Sequence, residues 1–297
     1  MPHPALEQPG IYTIACRPAL PKDTVDVIEL TRHIWEGEDY VPFVWADWLA
    51  DPQGLLAVAE YGGRVVGLNK LTHLGDGEWW MEGLRVHPDY GGRHIASHLH
   101  DYLLGYWKRT AGGVLRLITA SYRLAVQHLC QRTGFHKAGE YSSFEAGSLP
   151  GQNSRWTPVR LEEANQAFAF ARDSASIALC GNLMDLGWQF ASPSAERIEQ
   201  AASQGKAWWW RERQGLLILQ QDDEDTKNAS FSLLACPVDE MGDVLKDFRG
   251  LAGSLGAERA AWLAPLQTQV ISSLGSAGFE RVWEDSVYLY EKRENIV

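Results

Sequence analysis

Cysteine is scarce in this chain: Cys16, Cys130, Cys180 and Cys236 lie far apart in 297 residues, with no CxxC pair. That argues against a cysteine zinc site and makes reduced core thiols the expectation. No apolar run is long enough to span a bilayer, and the start, MPHPALEQPG, lacks the basic segment and apolar stretch of an export signal. A cytoplasmic protein with no membrane partner is expected. Positive charge is in deficit too, with 27 Lys and Arg against 38 Asp and Glu, a net charge of −11. This speaks against a nucleic-acid surface and mildly favours a cationic partner. What remains is 45% hydrophobic and 22% charged, an ordinary soluble composition, at a length that suits one large or two mid-sized domains.

The most informative stretch is Trp79 to Leu99, WWMEGLRVHPDYGGRHIASHL. It reads as a strand ending at Val86, a turn at Pro88, Gly91 and Gly92, and a helix opening with Arg93 and His94. A helix start preceded by glycines leaves backbone N–H groups unpaired and aimed outward, where the helix dipole favours a phosphate. Strict alternation puts Glu78, Trp80, Glu82, Leu84 and Val86 on one face of the strand and Trp79, Met81, Gly83 and Arg85 on the other.

Upstream, Ile11 to Arg17 reads as a strand, and Asp23 and Thr24 cap a helix carrying Val27, Ile28, Thr31, Ile34 and Trp35. A second short helix carries Phe43, Trp45 and Trp48. LLAVAEY and RVVGLNKL form a hairpin about Gly62 and Gly63. Downstream come a strand at Val114 to Thr119, a helix at Tyr122 to Arg132 and a strand opened by Gly134 and Phe135. The class is α/β, with a mixed sheet.

GSLPGQNSRW, from Gly147 to Trp156, reads as a linker. Beyond it the order repeats: LRLITASYRLAVQHLCQRTGFHKAGEYSSFE is echoed by ERAAWLAPLQTQVISSLGSAGFERVWEDSVYLYE, with Phe135 and Phe279 in matching places. An internal duplication follows, dividing the chain into 1–147, a linker at 148–156, and 157–297. The second copy has CPVDEMGDVLKDF where the first has its paired glycines. Asp239, Glu240 and Asp243 would cap that helix themselves and repel a pyrophosphate. In the triple tryptophan, Trp208 and Trp210 should face one way and Trp209 the other, where it covers a domain interface or forms an exposed partner surface, domain packing being the better reading.

The order of elements and the segment VHPDYGGRHIASHL resemble the GCN5-related N-acetyltransferase (GNAT) superfamily. DYVP at Asp39, WL-DP at Trp48 to Pro52 and EGLRV-P at Glu82 to Pro88 are similar to its histidine N-acetyltransferase-like group. The resemblance implies the GNAT acyl-CoA N-acyltransferase fold in two tandem copies, the second degenerate, and acetyl-CoA as acetyl-donor cosubstrate. The family's pyrophosphate signature falls on Gly91, His94 and Ala96. Gly91 stands where a basic residue is usual, His94 stands where a glycine is, and Ala96 fits. Gly91, Gly92, Arg93, His94, Ile95, Ala96 and Ser97 are the implied phosphate cradle. Leu84, Arg85 and Val86 are the implied backbone for the pantetheine and the oxyanion.

The same resemblance makes Glu82 the candidate general base, which an ammonium acceptor needs before it can attack a thioester; a structural glutamate is the competing reading. It puts Cys130 where a tyrosine usually meets the departing thiolate, with a packed core thiol as the competing reading. Asp39, Tyr40 and Trp80 border the implied site for a small amine, a free amino acid among the candidates. His94 and His98 have the one-turn spacing of a metal pair, but Ile95 replaces the glutamate of HExxH, and no metal is expected. The main alternative is a non-catalytic acyl-CoA-binding or regulatory module.

Overall fold

A computed structural model describes residues 13–151, 155–220 and 227–296. Residues 11 and 12 of the expected first strand and 152–154 of the expected linker lie outside the described residues. The chain forms two compact units, residues 1–115 with 293–297, and residues 116–292. No helix among the described residues is long and apolar enough to cross a membrane.

In the first unit β1 (Ala15–Pro18) is followed by α1 (Thr24–Thr31) and α2 (Val41–Ala50), and then by β2 (Leu55–Tyr61), β3 (Arg64–Gly75) and β4 (Glu78–Val86). These four strands form an antiparallel ladder in the order β1-β2-β3-β4. The β2–β3 turn uses Gly62 and Gly63 with φ of +60° and +78°, which glycine adopts without steric cost. α1 and α2 bury Val27, Leu30, Val41 and Trp45 against Leu56, Val58 and Leu68 on one face of the sheet. On the other face lies α3 (Ile95–Thr110), whose inward stripe is Ile95, Leu99, Leu103 and Trp107. A Cβ at Gly67 would come within 3.0 Å of both Ile95 and Leu99, so the bare glycine lets the helix settle on β3. α1 stops at Thr31, short of the expected Trp35. Trp35, Glu36 and Gly37 all have positive φ, a left-handed run that no α-helix can include.

β5 (Gly113–Ala120) carries the chain into the second unit, followed by α4 (Leu124–Arg132), β6 (His136–Gly147) and β7 (Trp156–Pro158). Then come α5 (Ala164–Arg172), α6 (Ala175–Leu179), the short hairpin β8 (Met184–Asp185) and β9 (Phe190–Ala191), and α7 (Ala195–Ser203). β10 (Ala207–Trp210), β11 (Gly215–Leu219), β12 (Asn228–Ala235), α8 (Met241–Ser254), β13 (Arg259–Pro265), α9 (Thr268–Ser276), β14 (Glu280–Arg281) and β15 (Val287–Glu294) complete it. Strand order here is β5-β15-β6-β13-β12-β11-β10-β7. The closing strands are thus exchanged between the repeats. β6, from the first, lies between β15 and β13 of the second, and β15 lies beside β5. Division by repeat, at 148–156, and division by compactness therefore fall in different places.

The tryptophans of β10 alternate as expected. Trp210 joins the core around Phe231, Phe248 and Trp262, while Trp209 joins the opposite core with Ala167, Ala171, Ile198 and Ala201. Trp209 therefore fills the interior of its own unit under α5 and α7, where the sequence suggested a domain interface.

At the β8–β9 hairpin, Asp185 is buried and its Oδ1 accepts the N–H groups of Gly187 and Trp188 at 2.9 and 2.7 Å. Burial pushes its carboxyl up from 3.8 to about 6, although these bonds pull the other way. Because the folded pKa lies above the unfolded one, the stabilisation is complete below the unfolded value and is lost as pH rises through about 6. The difference is about 3 kcal/mol. Asp185→Asn keeps the acceptor and removes the titration, so the variant should melt higher than the parent at pH 8 and converge with it only below about pH 3.8. Parallel melting curves across that range would show that Asp185 does not titrate in the fold.

Candidate functional site

The informative geometry lies in β4. Between Glu82 and Arg85 the ladder with β3 slips: Lys70 faces Glu82 and Leu68 faces Arg85, so Gly83 and Leu84 share the place opposite Asn69. This is a β-bulge. Gly83 takes it up with φ of +69°, and a Cβ there would come within 2.6 Å of the Trp48 ring. The extra residue re-aims the strand, so Glu82 and Arg85 share the face covered by α1 and α2. Alternation had placed them on opposite faces.

On that face Arg85 is buried, and its Nε and Nη2 donate to the two oxygens of Asp39 at 2.8 and 3.1 Å. Asp39 Oδ1 also accepts the N–H of Val41 at 3.2 Å. The Arg85 guanidinium lies 4.3 Å from the Trp35 ring centroid and 5.2 Å from that of Tyr40. Tyr40 stands edge-on to Trp48 at 6.1 Å and is 39% exposed. Its phenol is pushed above its ordinary range, chiefly by burial; the Arg85 charge opposes this, and the carboxylates of Glu82 and Asp39 add to it. It is therefore a neutral donor at working pH. Half-buried Glu82 accepts from Thr72 Oγ1 at 2.5 Å. Lys70, buried opposite it, is ion-paired with Asp51.

β4 runs straight into the turn. Pro88–Tyr90 makes one 3₁₀ turn, closed by Gly91 N–H on Pro88 O at 3.0 Å. Gly92 has φ of +74°, Arg93 does not have positive φ, and His94 has φ of +59°. Left-handed residues alternating in this way belong to the backbone concavities that bind anions. At the back of the turn stand the unpaired N–H groups of the first turn of α3. A Cβ at Gly92 would meet nothing within 4 Å, and Gly91 to His94 are all exposed, so the turn is open to solvent. His94 occupies left-handed backbone, where glycine is the usual choice and His is tolerated. Arg93 bonds the Tyr61 hydroxyl at 3.2 Å and rests on the Tyr61 and Tyr90 rings, 5.3 and 5.8 Å from their centroids. Its cationic head is thereby kept beside the turn.

Three expected contacts are placed otherwise. Asp39 is 1% exposed, with both oxygens on Arg85, so it holds that neighbour in place. Trp80 is 2% exposed and belongs to the core. Cys130 is fully buried, and burial pushes its thiol up to about 12. Tyr141 is also buried and donates to Cys180 O at 3.3 Å. Glu82, Arg85 and Tyr40 are brought together. Gly91 to His94 form the exposed turn, with Ile95 buried beneath and Ala96 and Ser97 half-buried in the first helical turn. Thr72 and Trp35 were missed: Thr72 meets Glu82 only across strands, and Trp35 looked like part of a helix.

The second repeat has its own bulge, at Ser232 in β12, where Ser232 Oγ donates to Ile218 O at 3.3 Å. β12 and the parallel β13 pair only from Asn228 to Ser230 and then part. The chain itself fills the opening. Ser176 Oγ donates to Leu234 O at 3.1 Å and accepts Cys236 N–H at 2.9 Å, while Ser174 Oγ donates to Cys236 O at 3.2 Å. What space remains is a cavity of about 10 Å³ lined by Tyr141, Cys180, Asp185 and Ser232, room for one water. At the head of α8, Glu240 and Asp243 pair with Arg211 at 3.4 and 3.2 Å and do not cap the helix.

Residues 23–135 match the acetyltransferase (GNAT) family. Histidine N-acetyltransferase of Oreochromis niloticus is 31% identical over 97 residues, 32% of this chain and 28% of that protein. A Homo sapiens protein named "Probable N-acetyltransferase 16" is 26% identical over 209 residues, 64% of this chain and 57% of its own. The chain thus matches little more than half the length of these relatives at most. A solved tandem GNAT protein from the clavulanic acid biosynthesis pathway shares the fold over 95% of this chain and 98% of its own, at 13% identity and a TM-score of 0.58. The fold is that of two GNAT copies in tandem.

Proposed function

We propose that the chain is an N-acetyltransferase that moves an acetyl group from acetyl-CoA directly to a small primary amine, with its one acyl-CoA site in the first repeat. One observation carries this reading. A single strand, β4, offers a half-buried carboxylate at a bulge and then runs into an open anion cradle at the start of α3. Acetyl-CoA supplies the activated acetyl group. Gly92 to Ser97 hold its pyrophosphate through backbone N–H groups, and Arg93 adds a cation. The backbone from Leu84 to Val86 pairs with the pantetheine and steadies the developing oxyanion. Glu82 takes the proton of the acceptor ammonium, and its charge draws a cationic amine into a mouth walled by Tyr40 and Trp35. A free amino acid such as histidine fits this reading through the relatives' names.

The second repeat contributes structure only, because its parted strands are filled from within and its helix start carries carboxylates. Calorimetry with acetyl-CoA should therefore give one site per chain. Arg93→Ala should weaken that binding about tenfold, the loss of one exposed charge-assisted contact of roughly 1.4 kcal/mol. Absence of binding at millimolar acetyl-CoA would overturn the reading. Unchanged affinity in Arg93→Ala would remove Arg93 from the phosphate site.

A further inference from the structure

Thr72 is named by no motif and lies in the middle of β3, yet its hydroxyl makes the 2.5 Å bond to Glu82 Oε1. The register explains how. Thr72 faces Trp80 and Lys70 faces Glu82, so Thr72 is the diagonal neighbour of Glu82 on the same face of the sheet. Diagonal partners in a ladder lie within side-chain reach. Thr72 lies in the run Lys70–His73, which pairs in unbroken register with Trp79–Glu82, and a β-branched side chain has few χ1 choices, so the backbone of that run aims the hydroxyl. Glu82, in contrast, stands at the lip of the bulge, where the ladder that would steady it is broken.

We infer that Thr72 is the positioning residue for the general base: its hydroxyl anchors one carboxylate oxygen of Glu82 from the neighbouring strand and favours the ionised form that accepts the amine's proton. The inference rests on the reading of Glu82 as base. An O–H donor to a carboxylate stabilises the charged state and fixes its orientation. Among the described residues, the charged and titratable groups about Glu82 include Tyr40, from the segment leading into α2, and Arg85 of β4 with its partner Asp39. Lys70 of β3, paired with Asp51, stands opposite. Arg85 and Lys70 are each paired with another carboxylate, and the Thr72 hydroxyl donates to Glu82 directly.

The test compares Thr72→Val, which keeps the shape and removes the donor, with Thr72→Ser, which keeps the donor and removes a methyl. Steady-state kinetics over pH 5.5–9 and thermal melts are run on the full chain, with Glu82→Gln alongside. Thr72→Val should move the acid limb of kcat/KM for the amine to higher pH and lower kcat about three- to tenfold, with KM for acetyl-CoA unchanged. Thr72→Ser should return both to near the parent. A folded Thr72→Val with the parent's profile and turnover, beside an impaired Glu82→Gln, would overturn the role of Thr72 and leave the base in place. A Thr72→Ser as impaired as Thr72→Val would assign the effect to methyl packing and also overturn it. A fully active Glu82→Gln would remove the base itself, and the positioning role with it.

Discussion

Glu82→Gln should lower kcat by about 100- to 10,000-fold, the usual worth of a positioned general base, while acetyl-CoA affinity stays near that of the parent. Glutamine keeps the side chain's length and an oxygen for the Thr72 donor, so the bulge and its packing survive. What disappears is an acceptor for the ammonium proton. The residual rate should climb with pH until the free amine predominates, because solvent then deprotonates the acceptor in place of the carboxylate. The cradle at Gly92 to Ser97 belongs to the turn beyond β4, and its N–H groups are independent of residue 82. An effect on KM for acetyl-CoA as large as that on kcat would point to a collapsed bulge. Parental turnover across the pH range would take Glu82 out of the chemistry.

A chain cut after residue 150 should fail to fold into a soluble, active protein. The exchange of closing strands is the reason. In the full chain β6 is paired from Tyr141 to Gly147 with β13 and from His136 to Tyr141 with β15, and both partners lie beyond the cut. The fragment would carry an exposed strand on which Phe144 and Ala146 have lost the core they join. Such an open, apolar edge invites aggregation. Supplying residues 151–297 as a separate chain should recover soluble protein and activity. A fragment that melts cooperatively and transfers acetyl by itself would show that the second repeat is dispensable.

The sequence made some of this legible and hid the rest for physical reasons. The β2–β3 hairpin announced itself through Gly62 and Gly63, and the phosphate turn through Pro88, Gly91 and Gly92, because those residues mark local backbone geometry. Local signals do not report a bulge. Gly83 looks like any strand glycine until its φ is known, and alternation counted through it sends Arg85 to the wrong face. That single slip also hid the Asp39–Arg85 pair, so Asp39 looked available to a ligand. The strand exchange was hidden by the duplication itself. β6 and β15 descend from the same pattern, and hydrophobic periodicity cannot choose between two near-equivalent partners for β5 and β13. Cys130 fell at the position a resemblance marks as chemical, but only burial separates a buffered core thiol from an acid.

The central claim is that the first repeat transfers acetyl from acetyl-CoA to a small amine. Its most direct test is the release of free CoA thiol by the full chain when amino acids, histidine included, and simple polyamines are added singly to acetyl-CoA, with the amine product weighed by mass spectrometry. The account predicts thiol release that depends on one class of primary amine and matches, mole for mole, an acetylated amine 42 Da heavier, about the mass of an acetyl group in place of a proton. Acetyl-CoA binding with no amine-dependent release in any member of the panel would contradict it and leave a module that binds acyl-CoA without catalysis.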